Sequence, residues 1–329
     1  MQVGNLITRG AGGSDPYGQK ADFNSNSRAT AGSKIYGDRG VYAGGATPGT
    51  PNGFNTMDYF SIGIGGQALD FGDLTALIRN SGVAGDGYRA LVAGGKFGGT
   101  ESANIDYFNI LTPGNSVDFG ADLQAAKAFG TASSNGYRAV FQGGSPSTWP
   151  SAPNQQDLLN FHSQTDAVDY GEATVPRIFA ASCSNNDRML TMNQYVEPSG
   201  GYGKSIDFFS FTTHSGSASD FGDLRANTYD GGGTSNLHRG FNVGGWPSLE
   251  YIDMMNISTP GDATDFGDLP STANAPACGS DGARACISSL APTNNDGIGY
   301  FNIGSMSNAV DYGTLTVARY NQDHTVSGG

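Results

Sequence analysis

Three short elements return in the same order six times along the chain, and a fixed period of this kind constrains the fold more than any other feature. The first is an arginine, three or four mostly apolar residues and often a glycine pair. It runs from Arg39 (RGVYAGG), Arg89 (RALVAGG), Arg138 (RAVFQGG), Arg188, Arg239 (RGFNVGG) and Arg284. The second alternates apolar residues with an acid, as in MDYFSI from Met57, IDYFNI from Ile105 and IDFFSF from Ile206. The third is Asp-aromatic-Gly, beginning at Asp70, Asp118, Asp169, Asp220, Asp265 and Asp311.

Each copy reads as four short strands. A first strand ends at a tight turn such as Asp86-Gly87, Asn135-Gly136 or Asp281-Gly282, pairs that favour the positive φ angles of a two-residue hairpin. The arginine element is the second strand, and its glycine pair permits close backbone approach. The alternating element is the third, with the period-2 pattern of a sheet buried on one side. The fourth passes through Asp-aromatic-Gly. About 48 residues per four-stranded unit is the size of a propeller blade. No long stretch has helical period. The 51 glycines, about twice the usual share, are therefore a product of the repeat.

Composition narrows the partners. A net charge of -13 with only 17 Lys and Arg argues against binding to a phosphate backbone, so no nucleic acid is expected. No run approaches the roughly 20 apolar residues of a membrane span. The opening MQVGNLITRGAGGSD lacks the basic start and apolar centre of a signal peptide, which predicts a chain that is not exported by that route. Three cysteines, Cys183, Cys278 and Cys286, are too few for a disulfide framework and read as buried free thiols.

The order of arginine strand, glycine pair and Tyr- or Phe-bearing strand resembles kelch repeats, with Asp-Phe-Gly-Asp where kelch proteins carry Trp. The fuller pattern, best in NIDYFNILTPGNSVDFGADL (Asn104 to Leu123) and YIDMMNISTPGDATDFGDL (Tyr251 to Leu269), is similar to the kelch-like repeat proteins of tailed bacteriophages. The resemblance covers roughly residues 28–318. It implies an all-β, kelch-like β-propeller, a virion location after synthesis in the host cytoplasm, oligomeric packing with other virion proteins, and a tail-fibre or host-attachment role. The expected layout is one domain over 1–329: an N-terminal closing segment (1–27), six full repeats (28–318) and a C-terminal closing strand (319–329). The two closing segments together would form a reduced seventh blade; six blades is the alternative.

Catalytic signals are weak. His162, His214, His238 and His324 fall at unrelated places in the repeat, so no metal or cofactor is expected. The acids recur instead: Asp58, Asp106, Asp157, Asp207 and Asp253 in the third strand, and Asp70 and its equivalents in the fourth. Glycoside cleavage needs one particular pair of carboxylates in different environments, not a series of equivalent ones. The expectation is a structural role, accepting hydrogen bonds from turn amides or pairing with the arginines of the Arg39 series. Where the copies differ is more informative. Loops after the glycine pair vary and carry Phe97, Trp149, Tyr195, Tyr202 and Trp246, aromatics suited to stacking on sugars or anchoring a partner. A non-enzymatic virion protein presenting these loops to a host glycan or to neighbouring subunits is the expected function. The alternatives are a polysaccharide-acting enzyme of sialidase or lyase type and a capsid decoration protein.

Overall fold

The computed structural model describes residues 36–47, 53–146, 154–196, 201–212, 216–288, 295–319 and 326–328. The chain divides into two units, Met1–Gly32 and Ser33–Gly329, the first wholly outside the described residues. Among the described residues the second unit is all-β, with 24 strands, no helix, and antiparallel pairing throughout.

The first copy supplies β1 (Arg39–Ala43), β2 (Phe54–Ser61) and β3 (Leu69–Arg79). The second has β4 (Gly82–Gly85), β5 (Arg89–Ala93), the short β6 (Lys96–Phe97), β7 (Thr100–Asn109) and the start of β8 (Val117–Ser134). This 18-residue strand pairs first with β7 and then, from Ala128, with β9 (Arg138–Ser145), so it serves two copies. The third copy continues through β10 (Gln155–Asn160) and β11 (Val168–Glu172). The fourth is β12 (Ala181–Ser184), β13 (Arg188–Val196), β14 (Gly201–Ser210) and β15 (Ser219–Thr228). The fifth is β16 (Gly232–Ser235), β17 (Arg239–Val243), β18 (Tyr251–Asn256) and β19 (Thr264–Asp268). The sixth is β20 (Cys278–Ser280), β21 (Arg284–Ser288), β22 (Asn295–Asn302) and β23 (Val310–Arg319), followed by β24 (Val326–Gly328). The last three copies are separate four-stranded sheets, while β8, with β6 bridging β3 and β7, joins the first three into one sheet of twelve.

The C-terminal strand departs from the expected layout. β24 pairs with β1, Val41 opposite Val326 and Arg39 opposite Gly328, and so takes the first-strand place of the first copy. The other half of the expected seventh unit, residues 1–27, lies outside the described residues.

Packing follows from the strand patterns. The five-residue arginine strands are buried behind their leading arginine, as in β1, β5 and β17. They contribute to six apolar clusters, each drawing on two copies. Leu91 and Phe119 of the second copy meet Phe141 and Phe161 of the third, and Tyr42 and Phe60 of the first meet Cys286 and Ile298 of the sixth. Each fully buried side chain of this size contributes about 1.5–3 kcal/mol. All three cysteines are free and buried, and burial pushes the Cys278 and Cys286 thiols up.

Polar groups repeat the same neighbour-to-neighbour scheme. The Nη1 atoms of Arg39, Arg89, Arg138, Arg188 and Arg239 each donate to a carbonyl that follows the third strand of the next copy: those of Ile110, Phe161, Phe211, Ile257 and Ile303. Arg284 of the sixth copy donates to Ile62 of the first at 3.3 Å. The Asp-aromatic-Gly element is bound the same way. Phe221 O accepts from Gly261 N at 2.7 Å, and a Cβ on Gly222, at φ +146°, would stand 2.5 Å from the Gly261 carbonyl. A Cβ on Gly143, in the glycine pair, would collide with the Arg177 carbonyl, to which Gly144 N donates at 2.9 Å.

The third-strand acids do have structural partners, but not the Arg39 series. Asp207 meets Arg177 Nη2 at 2.9 Å and Thr174 Oγ1 at 2.7 Å; Asp253 meets Arg225 Nε at 2.5 Å. Asp58 takes Arg319 and Thr316, and Asp106 takes the Thr75 amide and hydroxyl at 2.8 and 2.6 Å. Lys127 Nζ lies 2.6 Å from Asp157 Oδ2, a charge contact without an aligned hydrogen bond. Burial pushes the Asp157 carboxyl up, and Lys127 offsets part of this. Each of these donors comes from the preceding copy: Thr75, Lys127, Arg225, Thr316 and Arg319 from its fourth strand, and Thr174 and Arg177 from the segment just after it. The Arg39 series lies at the opposite end of its strand and satisfies carbonyls. Three fourth-strand acids, Asp70, Asp118 and Asp169, accept not turn amides but amides two residues on in their own strands, from Gly72, Gly120 and Gly171.

Candidate functional site

Of the five loop aromatics, Trp149 lies outside the described residues. Phe97 sits in β6 and packs, half-buried, against the cluster shared by the first and second copies. The other three come together. Tyr195 on β13 and Tyr202 on β14 are cross-strand partners with ring centroids 6.2 Å apart. Both lie against Tyr229, at 5.3 and 5.0 Å, and Tyr229 lies 6.4 Å from Trp246. Trp246 folds back onto the segment between the fourth and fifth copies: its amide donates to Tyr229 O at 2.8 Å, and Thr228 Oγ1 donates to its carbonyl at 2.8 Å. That holds the indole so that Nε1 donates to Tyr202 Oη at 3.2 Å. Tyr202 and Trp246 remain 39% exposed each, so the cluster stays partly open to solvent rather than closing into core.

The cluster continues inward. Phe179 is 5.7 Å from Tyr229 and 4.5 Å from Phe129. These two phenylalanines occupy an unusual backbone position. Asn80, Phe179, Asp230 and Ala275 stand just ahead of the first strands of the second, fourth, fifth and sixth copies, and Phe129 within β8 where it passes to the third; all five have positive φ between 50° and 66°. A left-handed conformation costs a residue with a Cβ roughly 1–2 kcal/mol. A chain of main-chain hydrogen bonds offsets it: Phe129 N to Asn80 O, Phe179 N to Phe129 O, Asp230 N to Phe179 O and Ala275 N to Asp230 O, at 2.7 to 2.9 Å. The equivalent position of the first copy lies outside the described residues.

These five residues and the one after each line a cavity of about 40 Å³. Among the described residues its one ionisable group is Asp230, half-buried, whose carboxyl is pushed up to about 7 by burial. Tyr229 is pushed up to about 12, by burial first and then by Asp230, Tyr202 and Tyr195. Asn80 Oδ1 is buried without a hydrogen-bond partner. Outside the cavity, Lys96 Nζ stands 5.5 Å from the Phe129 ring centroid and is paired with Glu101 at 3.1 Å.

Sequence reasoning finds Tyr195, Tyr202 and Trp246 but misses Tyr229, Phe179, Phe129 and Asp230. The signal for the last three is positional: at the equivalent left-handed position the copies read Asn, Phe, Phe, Asp and Ala, where the residues around them repeat. Among the described residues no group of three or more His, Cys, Asp or Glu side chains converges on a point where a metal ion would sit. The arrangement combines stacking faces with a small polar recess, which suits binding of a flat, hydroxylated or amphipathic ligand. No protein-family model matches the chain, and no curated protein matches it.

Proposed function

We propose that the chain is a six-bladed β-propeller that serves as a non-catalytic, glycan-binding attachment protein of a phage particle, with Tyr195, Tyr202, Tyr229 and Trp246 as its sugar platform. Three observations support the blade count: the arginine bonds, the apolar clusters and the acid pairs each run from one copy to the next and also from sixth to first. β24 pairs with β1 in the place that the first strand takes beside the arginine strand in the other copies. The placement on a phage particle rests on the resemblance of the repeats.

The platform carries the functional reading. Four exposed or half-exposed aromatics from three separate segments are held on one surface, which a fold gains little from leaving in water. Against a hydrolytic reading, the adjoining cavity offers a single carboxyl, whereas glycosidases place two at set separation. The repeated acids are engaged between copies.

The test is incubation of the purified protein with host envelope polysaccharide. Retention without new reducing ends is expected, and Trp246→Ala or Tyr202→Ala should weaken it about ten- to hundredfold, the range for truncating an aromatic anchor. Release of reducing ends would replace this reading with an enzymatic one, and unchanged binding in both variants would move the site elsewhere.

A further inference from the structure

We propose that the cavity beside the platform receives the ammonium group of a free amino sugar, so that the preferred ligand is a glycan rich in unacetylated amino sugars. This rests on the platform being the glycan site.

Size decides first. A space of about 40 Å³ holds a few water-sized groups and excludes a sugar ring. Whatever ring lies on Tyr229 and Tyr202 can therefore project only a small substituent inward, past Phe179. The candidates are a hydroxyl, an ammonium, an acetamido group and a carboxylate.

Chemistry decides next. The lining offers acceptors and π faces: the Asp230 carboxyl, the partnerless Asn80 Oδ1, and the rings of Phe129 and Phe179. A carboxylate would face Asp230 with no cation among the described lining residues to compensate. An acetamido group brings a methyl and a carbonyl to a recess whose side-chain needs are for donors. A hydroxyl donates one proton. An ammonium donates three, pairs its charge with Asp230, and is attracted by aromatic faces. Lys96, which lies over the Phe129 ring, is outside the lining and held by Glu101. Burial holds Asp230 partly protonated near neutral pH, and a bound ammonium stabilises its ionised form.

The experiment compares three ligands by calorimetric titration of the full chain near neutral pH: glucosamine oligomers, their fully N-acetylated counterparts, and galacturonate oligomers of equal length. Glucosamine oligomers should bind about tenfold or more tighter than the acetylated ones, the worth of one charge-assisted pair, and galacturonate weakest. Asp230→Asn should abolish the preference, bringing glucosamine-oligomer affinity down to that of the acetylated oligomers. Equal affinity of the first two ligands in the wild-type protein overturns the proposal yet leaves the platform reading intact. So does a preference that survives Asp230→Asn. Absence of binding to all three, together with binding of envelope polysaccharide that ignores Trp246→Ala, overturns both.

Discussion

The sharpest physical test concerns Asp230→Asn and its dependence on pH. Burial raises this carboxyl from 3.8 to about 7 in the folded chain, so the native state holds the proton more tightly than the unfolded one. Between those two values folding takes up a proton, and stability falls as pH rises through the window. The penalty is absent below 3.8 and complete above 7. At about 1.36 kcal/mol per unit, a shift of this size amounts to about 4 kcal/mol. Asp230 is only half-buried, and water on its open side reduces the figure. Asparagine keeps the shape and cannot ionise, so it escapes the penalty. The variant should therefore exceed the wild type by roughly 2–4 kcal/mol at pH 8 and by about half that at pH 5.5, measured by urea unfolding at both. Titrations elsewhere in the chain are common to the two proteins and cancel. An equal gap at the two pH values, or a variant less stable at pH 8, would refute the assignment of an isolated, desolvated carboxyl to this cavity.

Three further outcomes follow from the contacts between copies. Gly222→Ala should cost about 2 kcal/mol or more in thermal or urea unfolding, because its Cβ meets the Gly261 backbone at positive φ; Gly261→Ala, with nothing within 4 Å of its Cβ, should stay within about 0.5 kcal/mol. Arg284→Ala removes donors to Ile62, Gly63 and Tyr312 and should cost about 1.5–3 kcal/mol, whereas Lys204→Ala, in an exposed pair with Asp223 at 3.1 Å, should cost under about 1. Deleting residues 326–329 uncovers the β1 edge, and size-exclusion chromatography should then show concentration-dependent association along with a lowered melting temperature.

Strand order was legible because its determinants are local. Alternation in MDYFSI and IDYFNI sets the third strand, and the Asn or Asp at each hairpin fixes the turn. Asp86, Asn135, Asn185, Asn236 and Asp281 each accept two amides through Oδ1, just ahead of the arginine strand. What sequence could not resolve is pairing across copies. Asp207 is equally near, in pattern, to Arg188 and to Arg177; only the packed arrangement puts Arg177 beside it. The C-terminal strand has the same difficulty, since GNLITRGAGG near the start and RGVYAGG at Arg39 both look like strands awaiting a partner. At the site, Tyr195, Tyr202 and Trp246 stood out as loop aromatics. Phe129, Phe179 and Asp230 did not, because a left-handed conformation is not foreseeable for bulky or charged residues outside glycine-rich turns.

That backbone conformation bears on why these residues are there at all. Glycine would occupy the five left-handed positions without the steric cost, and this chain places glycine freely elsewhere. The main-chain bonds linking one position to the next use only amide and carbonyl groups, so they demand no particular side chain. Nor does packing demand one: Phe129, Phe179 and Asp230 are half-buried, and each forgoes part of the return that full burial would bring. Where a side chain is retained against backbone strain without a compensating core contact, its use lies in what it faces. Here it faces one small cavity, to which different copies contribute a carboxamide, two aromatic rings and a carboxyl. A repeat whose shared residues are consumed in joining neighbours leaves only such copy-specific positions to carry recognition.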